Sequence, residues 1–240
     1  MTDEDLAARL ADGAGRLLLE LRGGFLEGAA LGAVADKVAN AFILTALREW
    51  RPADPILSEE SPDHQARLTS ERVWIIDPLD GTREYGEGRP DWAVHVALAV
   101  GGEPKVGVVA LPALGRLFRS DRPPEPVPAQ RERPLIVVSR TRPPAEIADI
   151  AALLGAELIE MGSAGAKAMA VLAGDADLYY HAGGQHEWDN CAPAAVALGA
   201  GLHASRADGS ALAYNRADTI VPDLILGHPE LAARILAFRN

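Results

Sequence analysis

Val73-Trp74-Ile75-Ile76-Asp77-Pro78-Leu79-Asp80-Gly81-Thr82 is the stretch on which the reading of this chain turns. Its four leading residues are apolar and bulky, and predict a buried strand. The strand runs into a sharp turn, because Pro78 fixes one φ angle and Gly81 permits a tight bend or a close approach of backbone to an anion. Two carboxylates three residues apart therefore emerge at a strand's carboxyl end, where α/β proteins place their ligands. Held this close they repel, unless a cation lies between them or one takes a proton. An all-oxygen donor set suits a hard divalent ion such as Mg²⁺. A strand-end Asx turn accounts for a lone Asp-x-x-Asp equally well. The other acids of the chain favour the cation.

Outward from this strand, Leu6, Leu10, Leu17, Leu18 and Leu21 recur at helical spacing and stop at Gly23-Gly24, predicting an amphipathic helix over 3–22. Small residues from Gly28 to Ala35 read as a loop, with a second helix from Asp36 to about Trp50 that Pro52 and Pro55 end. Ile56-Leu57 leads into Ser58-Glu59-Glu60-Ser61. Trp92–Val100 and Lys105–Leu111 read as antiparallel strands joined across Gly101-Gly102. Prolines at 123, 124, 126, 128 and 134 mark 122–134 as a loop between an N-terminal α+β part, 1–121, and a C-terminal α/β part, 135–240. In the latter, strands at 135–139, 157–160 and 176–180 alternate with helices at 145–154, 164–173 and 190–200.

Composition bounds the function. The chain has 240 residues, 48% of them apolar, enough for one large domain or two intimately packed ones. A single cysteine, Cys191, excludes an internal disulfide and fits a reducing cytoplasm. The acidic start, Met1-Thr2-Asp3-Glu4-Asp5, does not resemble a signal peptide, and no apolar run reaches the roughly 20 residues of a membrane span. A net charge of −11 argues against nucleic-acid polymers and anionic membranes as partners, while bound cations can still invert the field locally for a small phosphorylated molecule.

Asp36, Glu59, the Asp77/Asp80 pair and Asp189 all fall at expected element ends. Asp189, in Trp188-Asp189-Asn190-Cys191-Ala192-Pro193, reads as the N-cap of the helix that follows, which would explain it without any ligand. Gly162-Ser163 stands where a helix begins and would offer free N–H groups to a phosphate, or be a plain serine cap. Lys167 lies one turn on and could reach the same anion, although solvated surface is the default for a helical lysine. His95 alternates with apolar neighbours and reads as a satisfied strand histidine; core packing is the first reading for Tyr85 and Trp92.

Taken together, five motifs resemble the inositol monophosphatase superfamily of Mg²⁺-dependent, lithium-sensitive phosphatases. They are Ser58-Glu59-Glu60-Ser61, Trp74 through Thr82, Gly162-Ser163-Ala164-Gly165-Ala166-Lys167, Trp188 through Pro193, and Asp208 through Asn215. Arg83-Glu84-Tyr85 and Ser139-Arg140-Thr141-Arg142-Pro143 are similar to the 3′(2′),5′-bisphosphate nucleotidase branch, the CysQ-type enzymes, and most of all to its actinobacterial members.

The resemblance implies a layered α-β-α-β-α sandwich with the metals in the cleft between the two parts. It implies hydrolysis of the 3′-phosphate of 3′-phosphoadenosine 5′-phosphate, a by-product of sulfate assimilation, by an activated water and with no phosphoenzyme. Glu59, Asp77 and the Leu79 carbonyl would hold one Mg²⁺, with Asp77 bridging to a second held by Asp80 and Asp189. Asp36 paired with Thr82 would activate the water, and Glu60 would stand behind them. Gly81, Thr82, Arg140, Ser163 and Lys167 would bind the substrate. Only Ala35-Asp36 survives of the family's Lys-x-Asp and Val-Thr-x-Ala-Asp segment, so a third ion is left open. The family's habit of dimerising puts a homodimer among the expected assemblies.

Inositol 1-phosphate or fructose 1,6-bisphosphate would suit the same metal chemistry. Haloacid-dehalogenase phosphatases carry Asp-x-Asp-Gly-Thr after a strand, but here the acids stand one residue further apart and Trp188-Asp189 has no place in that scheme. A non-catalytic metal or phosphate sensor is disfavoured by the presence of both Thr82 and Asp36.

Overall fold

The computed structural model describes residues 1–125 and 131–239, so part of the proline-rich stretch 122–134 lies outside the described residues. Helix α1 (Asp3–Arg22) buries the stripe Leu6, Leu10, Ala14 and Leu18, and Thr2 caps it by accepting the Asp5 N–H at 3.2 Å. Helix α2 runs from Gly28 to Trp50, which corrects the expected loop over 28–35. Alanine is the strongest helix former, and Ala29, Ala30, Ala33 and Ala35 carry the helix through that segment. Gly32 within it serves packing, since a Cβ there would lie 2.7 Å from the Thr82 side chain. Asp36 therefore sits inside a helix and not at its start. By length and composition α2 is also the one described helix apolar enough to cross a membrane, and its Leu31, Ala35, Ala39, Ile43 and Leu47 are buried against the rest of the fold.

The first sheet has the order β1 (Ile56–Ser58), β2 (Arg72–Asp80), β3 (Ala93–Val100), β4 (Glu103–Leu111), β5 (Arg116–Arg119). Only the β1–β2 pair is parallel. A short helix, α3 (Thr82–Gly86), follows β2 directly. Strand β2 is buried on both faces: Trp74 and Ile76 join the core under α1 and α2, whereas Val73 and Ile75 join the core on the opposite side.

That opposite side is covered by α5 (Ala164–Leu172) and α6 (Glu187–Gly199). Beyond them lies the second sheet, in the order β7 (Glu157–Met161), β6 (Leu135–Ser139), β8 (Leu178–His186), β10 (Ile220–Gly227), β9 (His203–Ser205). Strand β6 is parallel to β7 and β8, while β10 is antiparallel to both β8 and β9, so the expected α/β alternation ends in an antiparallel edge. Helices α4 (Ile147–Leu154) and α7 (Pro229–Arg239) close the outer face. The layers are α-β-α-β-α. The inner helix layer lies in one core that both sheets share, and this is what lets residues of the second half reach the carboxyl end of β2.

Candidate metal centre

Across the β2–β3 pair, Asp77 stands opposite His95 and Asp80 opposite Ala93. Three steps on β2 thus match two on β3, a one-residue bulge at Pro78-Leu79. Pro78 has no N–H to give the ladder, which is why pairing breaks there. In a regular strand, residues three apart point to opposite faces. The extra residue brings Asp77 and Asp80 onto the same face. Asp77 accepts the Leu79 N–H at 3.1 Å, and Gly81 turns the chain with φ of 89°. A side chain at Gly81 would also press on Ser163, 3.1 Å from its Cβ position.

Asp189 joins this pair from the first turn of α6. It is not the N-cap: His186 occupies that place, and its N–H donates to Asp189 Oδ2 at 2.6 Å. Asp77, Asp80 and Asp189 bring carboxylate oxygens within 4.8 Å of one another. Glu59, at the turn after β1, lines the same cavity. Thr82 Oγ1 lies 3.2 Å from Asp36 Oδ2 and 3.1 Å from the Leu79 carbonyl oxygen, so the expected Asp36–Thr82 pair is formed.

The carboxyls are not equivalent. Burial and the charge of Glu59 push Asp77 well above the ordinary range. Glu59 is pushed up to about 8 by desolvation in the cleft and by Asp189, and Asp189 to about 6 by burial and Asp80. Asp36 rises to about 7 through burial and the charge of Glu60, with the Thr82 hydrogen bond opposing. Asp80 alone goes down: burial would raise it, but His95, Lys167 and Ser163 overcome that. A buried, oxygen-only donor set in which most carboxyls resist ionising is short of positive charge, and a hard divalent cation is the group that fits it.

The geometry around Asp80 revises one expectation. The first turn of α5 does not offer its N–H groups to a phosphate. Asp80 Oδ2 accepts from Ser163 Oγ and from the Gly165 N–H, both at 2.6 Å, and Oδ1 accepts from the Ala164 N–H at 3.1 Å. The Gly162 N–H, just ahead of the helix, goes to Asp91 at 2.7 Å, and the Ala166 N–H goes to Ser163 Oγ at 3.0 Å. The helix end stabilises a carboxylate belonging to the protein itself. Ser163 is thus a holder of Asp80.

Lys167 is buried and not solvated. Its Nζ donates to the carbonyls of Gly162 and Ser163, lies 5.3 Å from the Tyr179 ring centroid and lines the cavity, with burial lowering its pKa. Arg140 departs from expectation, since its guanidinium donates to Glu84 Oε1 and Glu87 Oε2, both at 2.7 Å, and does not line the cavity. Arg142, two residues on, does. Tyr85 and Trp92 are core residues in edge-on contact, with ring centroids 5.0 Å apart.

Together these residues wall a cavity of about 470 Å³, a size suited to a small molecule. Glu59, Asp77, Asp80 and Thr82 line it from the first half of the chain; Arg142, Lys167, Tyr179, His181 and Gln185 line it from the second. His181 is nearly fully buried, neither ring nitrogen has a protein partner, and desolvation depresses its pKa to about 4. His186 is exposed and stacks on Trp188. Sequence reasoning passed over Arg142 and Gln185, which line the cavity, and for His95 only its alternation with apolar neighbours signalled that the ring points inward.

Comparison with known proteins shows the family and the fold. Residues 7–239 match the model of the inositol monophosphatase family. The chain is 49% identical to a 3′-phosphoadenosine 5′-phosphate phosphatase of Mycobacterium leprae, covering 98% of this chain and 93% of that protein. It is 50% identical to the protein of that name from Mycobacterium tuberculosis, covering 93% and 88%. The crystal structure of CysQ from Bacteroides thetaiotaomicron superposes with a TM-score of 0.82 at 26% identity, over 94% of this chain and 97% of that one. The chain belongs to the inositol monophosphatase family.

Proposed function

We propose that this protein is a Mg²⁺-dependent phosphomonoesterase that removes the 3′-phosphate of 3′-phosphoadenosine 5′-phosphate. The observation that carries the reading is the meeting of Asp77, Asp80 and Asp189 at the bulged end of β2, in a cavity that Arg142 and Lys167 also line. The near-50% identity to phosphatases named for that substrate supports the choice of nucleotide.

Glu59, Asp77 and the Leu79 carbonyl would hold one cation, and Asp80 and Asp189 a second that shares Asp77. When bound, the cations supply charge for the transferring phosphoryl group and for the attacking and leaving oxygens. Acid–base help alone accounts for only about 10²–10⁴-fold, so positioning and charge carry most of the acceleration. Thr82 Oγ1–H can donate a hydrogen bond to Asp36 or to the Leu79 carbonyl, leaving lone pairs that would orient a water over the phosphate. Asp36, at about 7, is matched to accept a proton near neutral pH. Gly81 leaves the approach to the phosphate unobstructed. Arg142 takes the place expected of Arg140 as the mobile cation for the nucleotide's second phosphate, and Lys167 adds a fixed positive charge behind it.

The test is phosphate release by the purified protein, with Mg²⁺ and with EDTA, from 3′-phosphoadenosine 5′-phosphate, 5′-AMP, inositol 1-phosphate and fructose 1,6-bisphosphate. The expected result is a kcat/KM preference for the bisphosphate nucleotide, abolished by EDTA and absent with 5′-AMP. A preference for either sugar phosphate would keep the metal chemistry and overturn the substrate; no release from any would overturn the enzyme.

A further inference from the structure

We propose that His95 is a positioning residue for the metal centre, holding the Asp80 carboxylate from its Oδ2 side. The inference rests on the metal-centre reading above. His95 is fully buried on β3, and its two ring nitrogens reach in different directions. Nδ1 lies 3.0 Å from the Trp188 carbonyl oxygen, and Nε2 lies 3.3 Å from Asp80 Oδ2, an ion-pair distance. Trp188 immediately precedes Asp189. One ring therefore spans from a carboxylate on the first sheet to the backbone beside a carboxylate on the inner helix layer.

The fold makes room for this ring at a specific cost. A Cβ at Gly165 would lie 2.0 Å from His95 Nε2, so only glycine fits there. The Gly165 N–H goes to the same Oδ2 that His95 faces. With Ser163, Gly165 and His95 around Oδ2 and only the Ala164 N–H on Oδ1, the free lone pairs of Asp80 are concentrated on Oδ1. A carboxylate so held presents one oxygen in one direction, and partners of this kind behind a metal ligand are worth about 10–100-fold in metal affinity. Without the ring nitrogen on that side, the Asp80 carboxylate loses the partner that β3 supplies.

The experiment is calorimetric titration of the EDTA-stripped, dialysed protein with Mg²⁺ and Mn²⁺, comparing wild type, His95→Asn and His95→Gln. An Asn amide nitrogen falls near Nδ1 and keeps the Trp188 contact while dropping Asp80; a Gln amide reaches towards Nε2 and restores it. His95→Asn is expected to bind about 10–100-fold more weakly, His95→Gln to stay near wild type, and both to have similar urea midpoints in EDTA. Wild-type affinity in His95→Asn, or equal losses in both variants, would overturn the proposal. A wild type that binds no cation would instead overturn the metal centre. Should the variants not fold, ¹⁵N spectra of the wild type decide: Mg²⁺ is expected to shift the His95 Nε2 resonance and leave the exposed His64 unmoved. An unshifted His95 would overturn the proposal.

Discussion

Asp77→Asn and Asp80→Asn are the same chemical change three residues apart, and the structure sends them in opposite directions. In metal-free protein the Asp80 carboxylate accepts from Ser163, Gly165 and Ala164 and faces His95. An asparagine can keep the Oδ2 partners only by turning its NH₂ on the Ala164 N–H. One charge-assisted hydrogen bond, worth about 1.5–3 kcal/mol, is then lost and the others fall to neutral strength. The expected destabilisation is about 3 kcal/mol, and at roughly 2–4 °C per kcal/mol for a domain of this size, Tm falls by about 6–12 °C. Asp77 keeps its bond to the Leu79 N–H as an asparagine and sheds a charge that its neighbours oppose. Two carboxylates about 5 Å apart repel by about 3 kcal/mol at an effective dielectric of about 20, an upper limit because one can take a proton instead. Asp77→Asn is therefore expected to raise the Tm of metal-free protein at pH 8 by a few degrees while abolishing Mg²⁺-dependent turnover. The assay is thermal unfolding in EDTA at pH 8. Shifts of the same sign in both variants, or an Asp80→Asn protein as stable as wild type, would refute the argument.

Stabilisation by Mg²⁺ is expected to be larger at pH 8 than at pH 6. Folded-state values raised to about 8 for Glu59, about 7 for Asp36 and about 6 for Asp189 mean that their favourable contribution is present at low pH and is lost as pH rises through that window, where a cation would restore it. Calorimetry in two buffers of different ionisation enthalpy should show protons released on binding; equal Tm gains at both pH values would refute this. Arg142→Ala is expected to raise KM for 3′-phosphoadenosine 5′-phosphate about tenfold, the loss of one charge-assisted contact, with a smaller effect on a minimal phosphate ester. Arg140→Ala, removing a residue engaged by Glu84 and Glu87, should change KM far less, and the reverse order would return Arg140 to the substrate.

What the sequence by itself determined is local. The apolar run 73–76 made β2 because bulky residues with no polar partner have to be buried, and the spacing of leucines fixed α1 at the residues read from it. The acid types, and the family they resemble, were legible in short motifs whose chemistry depends on residue identity. Only tertiary structure decided the rest. The start of α2 was misread because small residues carry no periodicity, and the contact with Thr82 that requires Gly32 is made only in the folded chain. Asp77 and Asp80 stand three apart, a spacing that by itself separates them, and they converge because Pro78 breaks pairing against β3. Asp80 meets the N-terminus of α5 and the ring of His95, partners 83–85 residues along the chain in one case and on the neighbouring strand in the other. A helix end that reads as an open anion site is filled by the protein's own carboxylate, because sequence states which N–H groups are free of helical partners and only packing states what reaches them.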